Sequence, residues 1–375
     1  MKISYKISGT PNSPVLILSN SLGSTYHMWD DLVPFLLPYF RVLQYDNRGH
    51  GGSDKPNEPY RIDQLGQDVV DLLDRLNIEK AYFCGVSMGG LVAQWLAVNV
   101  PQRFPKICIS NSAAKIGNRQ SWQDRIDTLQ QNGMQVLVDM TLEKWFTPSF
   151  HQQRPEKIDV FRTMFGSNQV NGYCNCCHAI AGADFREDLS SIQSEILVIT
   201  GDDDPVTNVD DAKFLNANIT QSELVVLPGR HLVNAEVPDL YAEALISFFV
   251  GPEIKDRGMH IRTTVLGKEH VSNSLEGINS FNQAFQDLSA KIPWGQIWSR
   301  PGLSKHQRSL ITLSMMIALN RTEEFRMHIR GAINNGVTVE ELQELILQSA
   351  IYCGFPASHA AFKNAQDILE QEGLI

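Results

Sequence analysis

The sequence has no surplus of positive charge. Its 375 residues carry 32 Lys and Arg against 42 Asp and Glu, a net charge of −10, which argues against a surface built for nucleic acid or anionic lipid, since either requires clustered cations. It also lacks an apolar run long enough to cross a bilayer. The opening Met1-Lys2-Ile3-Ser4-Tyr5-Lys6 alternates like a strand and shows neither the apolar core nor the small-residue cleavage site of a secretory leader. Cysteine is sparse, and Cys174, Cys176 and Cys177 lie too close together for an ordinary disulfide framework. The expected setting is a reducing cytoplasm, with a small diffusible substrate and no membrane or nucleic-acid partner.

Hydrophobic residues make up 43% and charged residues 20%, enough for a globular core. The length exceeds what one core usually organises, so two domains are expected. Short apolar runs, Val15–Leu18, Val42–Tyr45, Ala81–Gly85, Lys106–Ser110, Ile196–Thr200 and Glu223–Leu227, with Ile3–Ile7 as an edge, alternate with helical segments. This is the rhythm of a mostly parallel sheet covered by helices, an α/β fold. Ile62, Leu65, Val69, Leu72, Leu73 and Leu76 form one apolar helical stripe between two of these strands. From about 113 to 192 the rhythm stops, which predicts an inserted helical cap. Residues 251–258 carry Gly, Pro and charge and read as a linker. The tail, 259–375, reads as an all-α domain, with a buried helix over Ser309–Leu319.

Gly85-Val86-Ser87-Met88-Gly89 falls between a strand and a helix. A nucleophile on such a tight turn needs small neighbours, and it gains the positive end of the following helix. The pentapeptide alone is a weak signal; its context makes Ser87 the expected nucleophile. A hydroxyl attacking at neutral pH needs a base oriented by a carboxylate. His231, in Pro228-Gly229-Arg230-His231-Leu232 after the last strand, is the expected base. Asp204 is the expected acid, at the end of Gly201-Asp202-Asp203-Asp204-Pro205. Asp202 and Asp203 are the alternatives, because three adjacent carboxylates cannot all be buried. Leu22 and Met88 are the expected oxyanion donors, although a plain turn would also explain Ser19–Ser24. The run Asp46–Asp54 lacks the Gly-Lys-Ser/Thr ending of a phosphate loop and reads as structural. Cys174, Cys176, Cys177 and His178 have no second ligand pair to complete a zinc site, so no metal is expected.

In the tail, Glu324 and His328 are four apart and share a helix face. They suit acid–base work, and equally a surface ion pair. Asn335-Gly336 predicts a left-handed helix end, and Thr338-Val339-Glu340-Glu341 a capping box.

Asn20-Ser21-Leu22-Gly23, Tyr45–Gly51, Phe83–Gly90, the cap segments Trp145-Phe146-Thr147-Pro148 and Gly172–Ile180, and His231-Leu232-Val233-Asn234 together resemble the β-ketoadipate enol-lactone hydrolases over about residues 1–250. Val233 departs from that family, where Ser is frequent. The resemblance implies an α/β-hydrolase fold with helical cap and a Ser87–His231–Asp204 triad. It also implies substrate contacts from the cap, with Trp122, Trp145, Arg119 and Arg125 as candidates. In the tail, Arg300-Pro301-Gly302-Leu303, Arg308-Ser309-Leu310, Met327–Ala332 and Tyr352–Ala357 resemble the carboxymuconolactone decarboxylases. That likeness implies a cofactor-free decarboxylation in which Arg300 or Arg308 orients carboxylates and His328, held by Glu324, protonates carbon. Related thiol peroxidases carry two cysteines where this chain has Arg321 and Glu324. With Cys353 alone in the tail, no dithiol can cycle.

Together the resemblances imply a bifunctional enzyme of aromatic catabolism acting on lactones, assembled as a homo-oligomer through the tail. The alternative is a general carboxylesterase with a helical oligomerisation domain.

Overall fold

The computed structural model describes residues 1–300 and 303–375; Pro301 and Gly302 of the arginine motif lie outside the described residues. The chain divides into two compact units, Met1–Phe249 and Val250–Ile375.

The first unit is built on a seven-stranded sheet in the order β1-β3-β2-β4-β5-β6-β7. The strands are β1 (Tyr5–Ser8), β2 (Val15–Ser19), β3 (Arg41–Tyr45), β4 (Tyr82–Val86), β5 (Lys106–Ser110), β6 (Glu195–Gly201) and β7 (Ser222–Leu227). Only β1 runs antiparallel to its neighbour. Leu16, Ile17 and Leu18, like Ile107, Cys108 and Ile109, are fully buried. Continuous apolar runs of this kind suit strands covered on both faces, whereas the edge strand β1 exposes Tyr5.

The helix Ile62–Arg75 buries Leu65, Val69, Leu72 and Leu73 along one face. Its Asp68 receives both Nε (2.6 Å) and Nη2 (2.8 Å) of Arg48. The pair is nearly buried, so removing either partner strands a charge, at a cost of about 3–5 kcal/mol. This bond ties the Asp46–Asp54 run to the helix.

Between β5 and β6 the chain forms the cap, with helices Arg119–Asn132, Val138–Trp145, Pro148–Gln153, Pro155–Gly166 and Val170–Gly182. The Trp145 ring meets Phe146, Phe161 and Phe165 edge-on, and each such pair adds about 0.5–1.5 kcal/mol beyond simple burial. The cap touches the rest of the unit backbone to backbone at Gly49 and Gly172. A Cβ on Gly49 would stand 2.7 Å from the Gly172 carbonyl, and one on Gly172 would run into the carbonyl of Gly49.

The second unit is helical: Lys268–Glu276, Gln283–Ser289, a π-helical segment Ala290–Ile297, then Lys305–Ala318, Thr322–Asn334, Val339–Cys353 and Phe355–Gln371. Leu313, Ile317, Phe325, Ile329, Leu342, Ile346 and Ile368 form its core. Gly336 adopts φ 84° after the helix ending at Asn334, and Thr338 accepts the Glu341 N–H at 3.1 Å.

Two sequence expectations need correction. Residues 251–258, read as a linker, lie within the helix Pro238–Leu266. Gly and Pro in this stretch mask an apolar spacing: Val250, Ile254, Ile261 and Val265 recur at helical intervals and are buried. The helix expected to be buried over Ser309–Leu319 is amphipathic, with Ser309, Leu313 and Ile317 buried but Ile311, Met315 and Leu319 exposed.

Candidate active site

Ser87 sits between β4 and the helix Met88–Asn99 at φ 58° and ψ −111°, a conformation few non-glycine residues adopt. The turn is possible because Gly85 and Gly89 are too close for side chains; a Cβ on either would strike backbone oxygen. Ser87 N–H donates to the Ser110 carbonyl at 2.9 Å, and its own carbonyl accepts from Ser112 Oγ at 2.9 Å. The strain is thereby held by β5 and the loop after it.

His231 follows β7 and is 2% exposed. Its Nδ1 faces Asp204 Oδ2 at 2.9 Å and Oδ1 at 3.1 Å. Asp204 also accepts from the N–H groups of Val206 (2.8 Å) and Thr207 (3.1 Å), from Thr207 Oγ1 (3.0 Å) and from Asn111 Nδ2 (3.0 Å). Burial alone would raise the pKa of this carboxyl, but the charge of His231 and the converging hydrogen bonds outweigh it and hold the pKa below the ordinary value. The neighbouring acids do other work. Asp202 accepts the Gly229 N–H at 2.9 Å, and Asp203 pairs with Arg230 at 2.7 Å.

Ser87 and His231 line one cavity of about 90 Å³ with Leu22, Trp122, Arg125, Thr141, Lys144, Trp145 and Tyr173 among its walls. No hydrogen bond joins Ser87 Oγ to the imidazole among the described residues. The Met88 N–H begins the helix after the nucleophile, and Leu22 lines the cavity that Ser87 and His231 share. Arg125 donates to Tyr173 Oη through Nε (2.9 Å) and Nη2 (2.7 Å), and Nη2 also reaches Thr141 Oγ1 at 3.4 Å. No carboxylate faces it among the described residues. Burial pushes the Tyr173 phenol well above its ordinary value, so the ring stays neutral and leaves the guanidinium charge uncompensated. Arg119, by contrast, is exposed at the start of its helix.

In the second unit the expected partnership of Glu324 and His328 is not formed. Glu324 is exposed, and no hydrogen bond joins the two among the described residues. His328 instead stacks on Trp294, with ring centroids 6.4 Å apart and planes within 10°. Burial, helped by His270 and opposed weakly by Glu324, lowers its pKa to about 4. The free site therefore holds a neutral imidazole at pH 7, a poor proton donor. Arg300 is exposed; its carbonyl accepts Arg308 Nη2 at 3.0 Å, while Arg308 Nε is buried with no hydrogen-bond partner among the described residues.

Sequence reasoning missed Arg262. It is 9% exposed and, among the described residues, bonds only neutral groups, Ser274 Oγ (3.1 Å) and Gln286 Oε1 (3.4 Å). Its charge helps hold His270 below the ordinary histidine value, after burial. Asn111 and Thr207, which clasp Asp204, were also missed; a signal for Asn111 was its residue type, since it adopts φ 44° and asparagine tolerates that region.

Among the described residues no three His, Cys, Asp or Glu side chains gather closely enough to hold a metal ion. Cys174, Cys176 and Cys177 are buried on a cap helix.

A strained serine on a strand–helix turn, in one cavity with a histidine that an acid after β6 orients, defines a class. The chain belongs to the α/β-hydrolase fold family, whose profile matches residues 14–238, and residues 283–367 match the carboxymuconolactone decarboxylase family. It is a fusion of an enol-lactonase-like hydrolase domain with a carboxymuconolactone-decarboxylase-like domain. Over 243 residues it is 42% identical to 3-oxoadipate enol-lactonase 2 of Acinetobacter baylyi, covering 65% of this chain and 91% of that protein. Over 118 residues it is 49% identical to 4-carboxymuconolactone decarboxylase of the same organism, covering 32% of this chain and 88% of that protein. The solved enol-lactonase from Burkholderia xenovorans LB400 aligns with a TM-score of 0.65 at 37% identity, over 66% of this chain and 95% of that one.

Proposed function

We propose that the chain catalyses two successive steps of aromatic catabolism. The second unit decarboxylates 4-carboxymuconolactone to 3-oxoadipate enol-lactone, and the first hydrolyses that enol-lactone to 3-oxoadipate. The observation that carries the reading is Arg125, an uncompensated cation in the same cavity as Ser87 and His231. Lys144 stands at the same cavity, and two cations there in a chain of net charge −10 favour an anionic ester over a neutral one.

In the first unit, Ser87 Oγ attacks the lactone carbonyl as His231 Nε2 takes its proton. The tetrahedral oxyanion accepts the Leu22 and Met88 N–H groups. The ring C–O bond breaks and its electron pair leaves as an enolate, which takes the proton from His231 Nε2 and, as the enol, ketonises. Water, deprotonated by the now neutral His231, then attacks the acyl carbon, and His231 returns that proton to Ser87 Oγ as the acyl group is released.

In the second unit, loss of CO₂ leaves a carbanion delocalised into the unsaturated lactone carbonyl, and a proton returns to carbon. Arg262 and Arg308 are better carboxylate anchors than the exposed Arg300. A bound carboxylate would raise the pKa of His328, letting it take up the proton it later delivers.

The reaction requires no cofactor or metal. Ile351, Tyr352 and Phe355, each at least 75% exposed, support assembly with further copies through the second unit. No helix is long and apolar enough to cross a membrane among the described residues, which suits a cytoplasmic enzyme. Purified protein given 4-carboxymuconolactone should release CO₂ and yield 3-oxoadipate; hydrolysis of simple esters with neither product would favour the general esterase.

A further inference from the structure

The Asp46–Asp54 run has a second connection, made by His50. This histidine is fully buried, and its Nε2 accepts the Gly23 N–H at 2.9 Å while Nδ1 faces the Arg48 carbonyl at 3.4 Å. These contacts select the tautomer with the proton on Nδ1 and the lone pair on Nε2. Burial lowers its pKa to about 4, which keeps Nε2 an acceptor at neutral pH.

The other polar group of Gly23 is held from the cap. The Gly23 carbonyl accepts Asn168 Nδ2 at 2.8 Å. Asn168 lies between the cap helices Pro155–Gly166 and Val170–Gly182 and also donates to the Phe165 carbonyl at 2.9 Å. Gly23 itself has φ 83°, and a Cβ there would stand 2.7 Å from the Phe165 ring. One residue of the loop is thus gripped at its N–H by the sheet side, at its carbonyl by the cap, and at its Cα by an aromatic wall. The Gly23 N–H lies in one peptide plane with the Leu22 carbonyl, and the Leu22 N–H lies in the plane before it, so the grip restrains the Leu22 N–H through the two torsions at the Leu22 Cα.

We propose that His50 and Asn168 are positioning residues that clamp Gly23 between sheet and cap and so aim the Leu22 N–H at the oxyanion, making seating of the cap a condition for a complete oxyanion hole. The inference rests on the reading of Ser87 and Leu22 given above. Neither residue touches substrate; both act on the donor through Gly23.

The test uses the full chain with p-nitrophenyl acetate, which needs acyl transfer but no lactone recognition, and with phenylboronic acid, which forms a tetrahedral anionic adduct on a serine. Loss of one oxyanion donor costs about 10²–10³-fold in kcat, and misdirection of one should cost about tenfold or more. Asn168→Ala and His50→Ala should each lower kcat by about that factor, with KM within about twofold and boronate affinity falling in parallel. His50→Gln, which retains an acceptor, should recover most of the loss. If His50→Ala fails to fold, Asn168→Ala decides alone. A folded Asn168→Ala with unchanged kcat and boronate affinity overturns the inference while leaving the hydrolase reading intact. A wild type inert to both probes would overturn that reading, and the clamp with it.

Discussion

His231 Nδ1 stands 2.9 Å from Asp204 Oδ2, whereas Asp202 caps the Gly229 N–H and Asp203 pairs with Arg230. Three consecutive carboxylates thus have three separate assignments, and only one of them orients an imidazole. Asp204→Asn should lower kcat for ester hydrolysis by at least about a thousandfold, the scale for loss of a triad member, while Asp202→Asn and Asp203→Asn stay within about threefold. Steady-state kinetics on the three variants decides the point; equal losses would show that the run matters only for folding.

Ser87→Ala should separate the two activities. Hydrolysis should fall by at least about a thousandfold. CO₂ release from 4-carboxymuconolactone should continue, with the enol-lactone accumulating instead of 3-oxoadipate. Loss of both activities at once would contradict two independent sites.

Arg125 should act on affinity for charge. Charged hydrogen bonds contribute about 1.5–3 kcal/mol, so Arg125→Met should raise KM for the enol-lactone by about 10- to 100-fold. Turnover of p-nitrophenyl acetate should barely change. A parallel loss on both substrates would point to a packing role beneath Tyr173.

In the second unit, Arg262→Gln should abolish most decarboxylation, while Arg300→Gln should leave it nearly intact, because only Arg262 is buried without a carboxylate among the described residues. CO₂ release with each folded variant measures this. The reverse ranking would restore the exposed arginine as the anchor.

Two buried histidines predict how stability follows pH. The folded pKa of His50 and of His328 is about 4, against an ordinary 6.5. Between those values the unfolded chain binds more protons than the folded one. Their stability contribution is therefore complete above about pH 6.5, declines as the solution is acidified, and is gone below about pH 4. For fully buried His50 the shift amounts to on the order of 3 kcal/mol. Asp204 acts lower down, since its depressed pKa preserves stability above the ordinary carboxylate range and loses it below. Thermal melts at about pH 7 and about pH 5 should show a drop in Tm that His50→Gln reduces. An unaltered drop would place the sensitivity elsewhere.

The sheet was legible because central parallel strands announce themselves as unbroken apolar runs, as Leu16–Leu18 and Ile107–Ile109 do. Ser87 was legible because glycines must flank such a turn. What escaped was long-range. Nothing local marks Arg262 as lacking a carboxylate, or His50 as the acceptor for an amide 27 residues earlier. Glu324 and His328 share one helix as their spacing implies, but Trp294, supplied by a distant segment, stacks with the imidazole instead. In 251–258, breaker residues obscured a stripe that continues from Val250 to Val265.

The seam at Gly49 and Gly172 bears on how this enzyme could be re-engineered. Two main chains meet there with no room for a methyl group on either side, so the lid cannot be exchanged as a free module. A chimera that imports a foreign lid must bring its own glycine into register with Gly49, or the graft will ride above the pocket it was meant to reshape.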